Sequence, residues 1–399
     1  MRIVAVYYPW ETMGGAIIRT VKLLKILRRH YDIDLLILAP KRQEILTELT
    51  KITRFSGGMR KMGIYIMPIK ISKKSQVEDL NLGMFVKVMS CIHKFLSIER
   101  RGKPVVLYSR PPLYLMMASV FNAKVHRCPV ISEIHNHIYA DYRNPFLRLL
   151  LKIFEFLILH FSTLIVVNSQ VFCMGLHKKM RIKIEKIVVV KNYVDFKEII
   201  LSEKTEEDFV KNYEASLIGF IGSLKPEEDI LTLFRAFKLI VQSWSSVKLV
   251  VVGGGSMEHY YKKLASNLGV ENYVVFLGEK KHEEVIEIMK KFKVFVAPRI
   301  KNEKTMTAAP LKIVEALALG VPIVATDLPP ISEIVGDAAI LVPPGDHKAL
   351  ASAIISLLGD DSLRKKLSFK ALQYAKNYNC DDVLLPLLLK LEEIAYAQA

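Results

Sequence analysis

Short runs of apolar, β-branched residues alternate along the chain with longer stretches in which apolar residues recur every three or four positions. The short runs indicate buried strands, and the longer stretches indicate amphipathic helices. The strands predicted in this way are Ile3–Tyr8, Asp34–Ala39, Ile64–Pro68, Val105–Ser109, Val130–His135, Leu164–Asn168, Ile187–Val190, Leu217–Ile221, Lys248–Val252, Tyr273–Leu277, Val294–Ala297, Pro322–Ala325 and Ala339–Val342. The helices predicted between them include Ile17–Arg29, Phe146–His160, 229–242, 256–268, 282–291, 310–319 and 346–358. Such alternation is typical of βαβ units and parallel sheets.

The pattern therefore predicts an α/β fold with two doubly wound, Rossmann-like domains in tandem. At 399 residues, the chain is longer than most single hydrophobic cores. We place the boundary just before the polar stretch Phe196–Asn212, which gives an N-terminal domain of residues 1–195 and a C-terminal domain of residues 196–379. Residues 380–399 form an amphipathic helix whose pattern does not indicate the domain against which it packs.

The excess of positive over negative charge lies entirely in the first half of the chain. Residues 1–195 hold 32 lysines and arginines against 13 aspartates and glutamates, whereas residues 196–399 hold 25 against 27. This asymmetry favours an anionic partner for the first half, such as a membrane surface, a lipid phosphate or a nucleic acid. A solvated basic face would give the same numbers. The basic residues are not interleaved with aromatic residues as in known nucleic-acid-binding modules, so we do not expect a nucleic acid.

The most apolar region of the chain is 146–167. It contains Arg148, Lys152 and Glu155, whereas a transmembrane helix needs about 20 predominantly apolar residues. We predict a helix over residues 146–160 followed by a strand over 163–168. The helix is either part of the core or lies on a membrane.

The four cysteines, Cys91, Cys128, Cys173 and Cys380, have neither zinc-ligand spacing nor the spacing of a disulfide framework. The first eight residues are already strand-like, which argues against a signal peptide. We therefore expect a cytoplasmic protein without a resident metal.

The second half carries an ordered series of motifs. Val250–Ser256 is a strand that ends in three glycines, Val274–Gly278 is a second strand that ends in glycine, and 310–326 is a helix that runs into a buried strand. Each glycine taken alone indicates only a turn. The series in this order resembles the donor-binding domain of glycosyltransferase family 4 (group 1). Members of this family have the GT-B fold, in which two Rossmann-like domains face a central cleft.

The resemblance implies a nucleotide-sugar site at the start of the helix in 310–319. Glu315 matches the family's carboxylate and would accept hydrogen bonds from the hydroxyls of the nucleotide ribose. Lys312 and the backbone N–H groups near the helix start would hold the phosphates, since such helix starts attract anions. The donor-binding residues implied by the resemblance are Gly14, Gly15, Gly222, Lys225, Gly278, Glu279, Thr307, Ala308, Ala309, Leu311, Lys312 and Glu315.

The loop after Leu217–Ile221 departs from the family pattern. Relatives commonly carry an arginine and a lysine here that bind the donor diphosphate, whereas this chain has Ser223 and then Glu228-Asp229. Two acidic side chains at this place would repel a diphosphate. Lys225 is the cation that could replace the missing ones. Thr307 likewise stands where the family's first signature glutamate is expected. These departures leave open a catalytically silent scaffold that serves as the partner of another transferase.

The first half offers candidates for the acceptor. Glu133-Ile134-His135-Asn136-His137 follows a predicted strand and resembles the family's E-x-H step, so we expect His135 to lie at the reacting sugar and His137 at the acceptor. Arg110 follows another strand and is either an acceptor contact or a strand-end cation. Gly14-Gly15 matches a family loop that contacts the donor phosphate or the acceptor.

Taken together, these matches imply an enzyme that moves a sugar from a nucleoside diphosphate to an acceptor hydroxyl, with retention at the anomeric carbon. The expected partners are a nucleotide-sugar donor and a glycan or lipid-linked acceptor, at the inner face of an anionic membrane. No cofactor is expected.

Overall fold

The structure is a computed structural model that describes residues 2–7, 23, 27, 29–39, 62–68, 82–99, 105–196 and 216–397. Its contacts divide the chain into two compact units. One unit comprises Met1–Val190 with Leu384–Ala399, and the other comprises Lys191–Val383. The division lies five residues before the predicted boundary, and most of the C-terminal helix is assigned to the first unit.

The first unit is built on a parallel sheet of seven strands in the order β3-β2-β1-β4-β5-β6-β7. The strands are β1 (Arg2–Tyr7), β2 (Asp32–Ala39), β3 (Met62–Pro68), β4 (Val105–Ser109), β5 (Val130–Glu133), β6 (Leu164–Val167) and β7 (Ile187–Val189). The described helices of this part of the chain are α1 (Leu82–Glu99), α2 (Leu113–Val125), α3 (Pro145–Phe161) and α4 (Gln170–Met180), with short 3-10 turns at Ile138–Asp141 and Ile184–Lys186. The strand order reverses between β1 and β4, which is where sheets of this kind bind ligands.

The second unit has a six-stranded parallel sheet in the order β10-β9-β8-β11-β12-β13. Its strands are β8 (Ser216–Ile221), β9 (Val247–Val252), β10 (Val274–Gly278), β11 (Val294–Ala297), β12 (Ile323–Thr326) and β13 (Ala339–Val342). Its helices are α5 (Ile230–Ser243), α6 (Glu258–Asn267), α7 (His282–Lys290), α8 (Leu311–Ala318), α9 (Pro329–Val335), α10 (His347–Gly359) and α11 (Asp361–Ala375). The order reverses between β8 and β11, which pair through Ile218 and Val294.

The last helix, α12 (Cys380–Tyr396), begins at the end of the second unit and continues into the first. Leu384, Leu387 and Leu391 on this helix are buried. The Tyr31 hydroxyl donates to the Leu388 carbonyl at 3.5 Å. These contacts explain why the tail is assigned to the first unit.

All thirteen predicted strands are present, each within two residues of its predicted limits. Most are uninterrupted apolar runs because helices cover both faces of a parallel sheet. The predicted helices of the second unit are also present, again with limits within two residues. Gly14, Gly15 and most of the predicted helix Ile17–Arg29 lie outside the described residues. Among the helices in the described part of the chain, none is long and apolar enough to cross a bilayer.

Candidate functional site

Three glycine-containing loops of the second unit interlock at the carboxyl ends of its strands. The Gly222 N–H donates to the Val252 carbonyl at 3.0 Å, and the Gly253 N–H donates to the Gly278 carbonyl at 2.8 Å. Gly253 has a φ of +128°, and a Cβ built there would lie 2.0 Å from the Gly222 carbonyl oxygen. Only glycine satisfies both constraints. The glycines after β8, β9 and β10 therefore join the three loops into one backbone frame.

Gly278 ends β10 with a φ of +68° and has open space where a Cβ would point. The next residue, Glu279, is exposed, and its side chain lies beside Gly254 of the neighbouring loop. The structure thus places the loop after β9 beside the predicted donor residue Glu279.

Glu315 lies on α8, whose first turn has no side-chain cap. Its side chain is only 2% exposed. Lys312 Nζ lies 2.9 Å from Glu315 Oε2, and His282 Nε2 lies 3.7 Å from Oε1. Lys312 forms an ion pair by distance without hydrogen-bond alignment, and no described residue gives Oε2 a hydrogen bond. A buried carboxylate oxygen without a hydrogen bond is costly unless a ligand supplies one.

The segment before α8 is tightly folded. The buried Thr305 hydroxyl donates to the Ile300 carbonyl at 2.6 Å, and the Asn302 side chain accepts the Thr305 N–H at 2.8 Å. The N–H groups of Thr307 and Ala308, predicted to hold phosphate, both donate to the Lys304 carbonyl, at 3.2 and 2.9 Å. These two donors are therefore engaged within a turn, and binding of a phosphate there would require the turn to rearrange. The N–H groups of Leu311 and Lys312 belong to the uncapped first turn of α8.

The acidic residues after β8 are accommodated in a way that the sequence alone did not suggest. Asp229 adopts a left-handed conformation with a φ of 40°, and its side chain caps α5 by accepting the Thr232 N–H at 3.3 Å. Glu227 lies 3.5 Å from Lys304 Nζ. Burial alone would raise the pKa of Glu227, but a backbone hydrogen bond and Lys304 lower it below its ordinary value. The expectation of two bare carboxylates facing a phosphate is therefore wrong for Asp229, whose side chain serves the helix.

Glu228 is paired with a residue that the sequence analysis missed. Its Oε1 lies 3.6 Å from Nη2 of Arg299, which follows β11. The Glu228 side chain keeps 24% of its exposure, yet its surroundings are enclosed enough that burial raises the pKa of its carboxyl. Arg299 also donates from Nη1 to the Ala308 carbonyl at 3.1 Å. A strand followed directly by Pro298-Arg299, next to the point where the strand order reverses, is the signal that could have identified this arginine. Lys225, the predicted replacement cation, is exposed.

In the first unit, the fully buried Glu133 at the end of β5 contacts three neighbouring side chains. Its Oε1 lies 2.6 Å from His135 Nε2, and its Oε2 accepts from the Tyr108 hydroxyl and lies 3.3 Å from Arg110 Nε. Tyr108 and Arg110 come from the adjacent strand β4 and the residue after it, so the parallel register brings them to Glu133. His135 keeps 18% of its side-chain exposure. Two predicted residues, Arg110 and His135, are thus held on one carboxylate.

His137 has a different environment from His135. It is buried, with Nδ1 at 2.6 Å from Glu155 Oε1 on α3, and its ring stacks on Tyr139 at 4.7 Å. The other Glu155 oxygen accepts the Ile138 N–H at 2.7 Å. This burial favours a structural role, in which His137 ties the loop to α3, over the predicted acceptor contact.

Comparisons with known proteins agree with this architecture. Over 179 residues, 44% of this chain and 46% of the other, the sequence is 28% identical to a phosphatidyl-myo-inositol mannosyltransferase of Mycobacterium leprae. It is 24% identical over 321 residues to an uncharacterized glycosyltransferase of Methanocaldococcus jannaschii, which covers 74% of this chain and 87% of that protein. The chain spans less than half of the length of several curated relatives that it matches, among them the mannosyltransferase.

The structure of Anabaena Alr3699/HepE in complex with UDP matches with a TM-score of 0.74 at 18% identity, and the match covers 98% of this chain and all of that one. The likeness establishes the fold, so the chain has the GT-B fold, with its two parallel-sheet α/β domains. Residues 202–374 match the family Glycosyl transferases group 1, and the chain therefore carries a domain of that family in its second unit.

Proposed function

We propose that the chain is a retaining glycosyltransferase that moves a sugar from a nucleoside diphosphate to an acceptor hydroxyl. The observation that carries the proposal is Glu315, a buried carboxylate with one oxygen lacking a hydrogen bond from any described residue, on a helix whose first turn has no side-chain cap. Ribose hydroxyls are suitable donors for that oxygen. Structures of the similar Anabaena protein contain UDP and UDP-glucose, which supports a donor of this class.

In this proposal, the protein contributes mainly positioning and electrostatic stabilisation. The leaving diphosphate needs positive charge where its own negative charge develops. Lys312 and the first turn of α8 supply it. His135 is held by Glu133 and partly exposed, and we propose that it acts on the acceptor hydroxyl. The reaction needs no cofactor.

A thermal-shift screen of UDP-, GDP- and ADP-sugars tests the donor site, because a ligand that binds only the folded protein raises its melting temperature. We expect one nucleotide class to raise it, and the matching donor to be consumed in a transfer assay. Glu315→Gln should abolish the shift. A screen without any shift, or a Glu315→Gln variant with full turnover, would refute the assignment.

We further propose that the protein reaches its acceptor at the surface of an anionic membrane. In this proposal, α3 is the helix that binds the membrane. Leu151, Glu155, Ile158 and Leu159 of this helix are buried. Six apolar side chains keep between 41% and 75% of their exposure, namely Phe146, Leu149, Ile153, Phe156, Leu157 and Phe161. Phe121 and Val125 of the neighbouring α2 are also exposed, and Lys124 lies 5.1 Å above the Phe161 ring. We call these eight apolar residues the α3 face.

One side of α3 is therefore part of the core, and its other side is an exposed apolar surface.

Cations flank the α3 face. Arg148 and Lys152 lie over the Tyr139 ring, at 5.3 and 4.7 Å. At the other end of the helix, Lys186 Nζ donates to the carbonyls of His160 and Ser162. Burial, together with Lys124 and Lys183, lowers the pKa of Lys186, so three positive charges are crowded there. An apolar face bordered by lysine and arginine matches the interface of an anionic bilayer.

Vesicle flotation tests this surface with phosphatidylcholine vesicles that either contain or lack phosphatidylglycerol. We expect binding only to the anionic vesicles, and weaker binding in high salt. Phe146→Ser with Leu149→Ser should release the protein. Phe369→Ser, which removes an exposed phenylalanine from α11 in the second unit, is the matched control. Equal binding to both vesicle types, or equal loss in the control, would contradict the proposal.

A further inference from the structure

The loop after β8 has Ser223 and Glu228 at the two positions where the resemblance to the family predicts cations, but a buried arginine stands on the adjacent loop. Because β8 and β11 are neighbours in the sheet, the loops that follow them leave the same edge side by side. Arg299, two residues after β11, thus reaches Glu228 from the neighbouring loop.

The Arg299 side chain is only 9% exposed. Its backbone N–H donates to Thr326 Oγ1 at 2.8 Å, and its Nη1 donates to the Ala308 carbonyl at 3.1 Å, so its position is fixed at both ends. Its Nε is buried, and no residue of the described chain accepts a hydrogen bond from it. Among the described residues, Nη2 contacts Glu228, and at 3.6 Å this contact is longer than a hydrogen bond. The guanidinium therefore has a fixed position and still has N–H groups that can donate hydrogen bonds to a ligand.

A diphosphate is a better partner for this group than Glu228 is. Guanidinium groups bind phosphate oxygens through two parallel, charge-assisted hydrogen bonds. The Glu228 carboxyl is poorly stabilised as an anion, since burial raises its pKa in spite of Arg299. The Ala308 carbonyl that Arg299 binds belongs to the segment before α8, whose start carries Lys312 and Glu315.

We propose that Arg299 is the residue that binds the donor diphosphate in this chain, and that Glu228 orients its guanidinium while the site is empty. The inference rests on the proposed function, because it names the cation of that donor site. The positive charge that the resemblance predicts after β8 would then come from Arg299, which follows β11. Glu228 then competes with the diphosphate for Arg299, and does not merely repel it.

The test compares a nucleoside diphosphate with its monophosphate. Dissociation constants for UDP and UMP, GDP and GMP, and ADP and AMP are measured by calorimetry, and the pair that binds the unmodified protein most tightly is carried forward. Arg299→Gln should weaken diphosphate binding by about 10-fold or more, the size expected for charge-assisted hydrogen bonds. Monophosphate binding should change much less. Glu228→Gln should tighten diphosphate binding, because it removes the competing anion.

Lys301→Gln is the matched control, since it removes a positive charge from an exposed position two residues away. It should leave both constants unchanged. A purely structural role for Arg299 would weaken both nucleotides equally, and that result would overturn the inference while leaving the proposed function intact. Unchanged diphosphate binding in Arg299→Gln would overturn it as well. If the unmodified protein binds none of the nucleotides, the proposed function fails and the inference fails with it.

Discussion

Each unit of the molecule holds a buried glutamate near the carboxyl edge of its parallel sheet, and the two carboxylates have opposite surroundings. Glu133 in the first unit contacts a tyrosine hydroxyl, a guanidinium and an imidazole. Glu315 in the second unit has an ion pair with Lys312 and a long contact with His282, and hydrogen-bond alignment to Oε2 is missing among the described residues. Burial alone therefore does not separate a structural carboxylate from a binding one.

The difference lies in how fully the protein satisfies each group. A carboxylate whose partners are protein groups orients those partners, and so Glu133 fixes Arg110 and His135. A carboxylate with an unused oxygen is a site that a ligand can complete. We infer that Glu133 contributes mainly stability and positioning, whereas Glu315 contributes mainly binding.

The first test neutralises each of the two glutamates in turn. Glu133→Gln should destabilise the first unit by about 3 kcal/mol or more, because it removes the buried carboxylate that pairs with Arg110 and accepts from Tyr108. Glu315→Gln should cost the second unit little, because only a misaligned ion pair is lost. Urea denaturation followed by circular dichroism measures the first effect.

Trp244 in the second unit makes the two effects separable. The other tryptophan, Trp10, is in the first unit, so a Trp10→Phe background leaves Trp244 as the sole tryptophan reporter. Glu133→Gln should leave the Trp244 fluorescence transition in place. If Glu315→Gln shifts that transition as strongly as Glu133→Gln shifts the circular dichroism transition, the proposed division of roles is wrong.

The fold could be predicted from the sequence because its strands are buried on both faces. Apolar runs such as residues 249–252 and Val294–Ala297 have no other stable environment, and a lysine precedes each run while a glycine or a proline follows it. The helix that carries Glu315 could be predicted because its residues have helical spacing and the buried strand β12 follows it. Glu315 forms an ion pair with Lys312, which lies three residues earlier on the same helix. The spacing of the two residues in the sequence also indicates this pair.

The two histidines after β5 provide the second test within the first unit. His137→Ala should lower the free energy of unfolding by about 2–4 kcal/mol, because Glu155 loses its buried partner and the ring contact with Tyr139 is lost. His135→Ala should cost less stability, because that side chain is partly exposed. It should, however, lower kcat by about 100-fold if the imidazole acts on the reacting groups.

Urea midpoints and initial transfer rates together decide this second test. Rescue of the midpoint by His137→Asn, which can still donate to Glu155, would support the structural role of His137. A His135→Ala enzyme with full activity would instead show that the histidine held by Glu133 takes no part in the reaction.

Contacts between distant residues could not be predicted from the sequence. His137 and Glu155 are 18 residues apart, and they meet only because α3 packs against the loop after β5. Glu228 and Arg299 are separated by much more of the chain, and they meet only because β8 and β11 are neighbours. Spacing along the chain carries no information about such pairs. The acidic residue at the lysine position therefore suggested a weakened site until its partner could be seen.

The backbone frame of the second unit provides a third test, because a binding site requires loops that hold their positions. Gly253→Ala places a Cβ 2.0 Å from the Gly222 carbonyl oxygen, which is closer than any normal contact. We expect a loss of about 1–3 kcal/mol, as in other overpacked sites, together with weaker nucleotide binding. Gly269→Ala is the control. That glycine also has a positive φ, of +71°, but open space around its Cβ position, so it measures the backbone cost alone. Equal effects of the two variants on nucleotide binding would argue against a frame that shapes the site.

The smallest expected effect is a pH dependence that distinguishes two adjacent carboxylates in the loop after β8. The folded protein raises the pKa of Glu228 above its ordinary value of 4.5, chiefly by burial, so above that pH the folded state holds the proton more firmly than the unfolded state. The contribution of Glu228 to the free energy of unfolding therefore falls as the pH rises above 4.5. Glu228→Gln should move the Trp244 urea midpoint upwards at neutral pH, and the difference should vanish as the pH approaches 4.5.

Glu227 should show the opposite behaviour. Burial opposes its ionisation, but a backbone hydrogen bond and Lys304 lower its pKa below 4.5 overall. Its stabilising contribution is therefore complete above that value and is lost as the pH falls through the lower pKa of the folded state. Glu227→Gln should accordingly lower the midpoint at neutral pH and have no effect in sufficiently acidic solution. If Glu227→Gln and Glu228→Gln shift the urea midpoint in the same direction at neutral pH, then Arg299 and Lys304 stabilise both carboxylates alike. Glu228 would then not be the poorly stabilised anion that a donor diphosphate can replace.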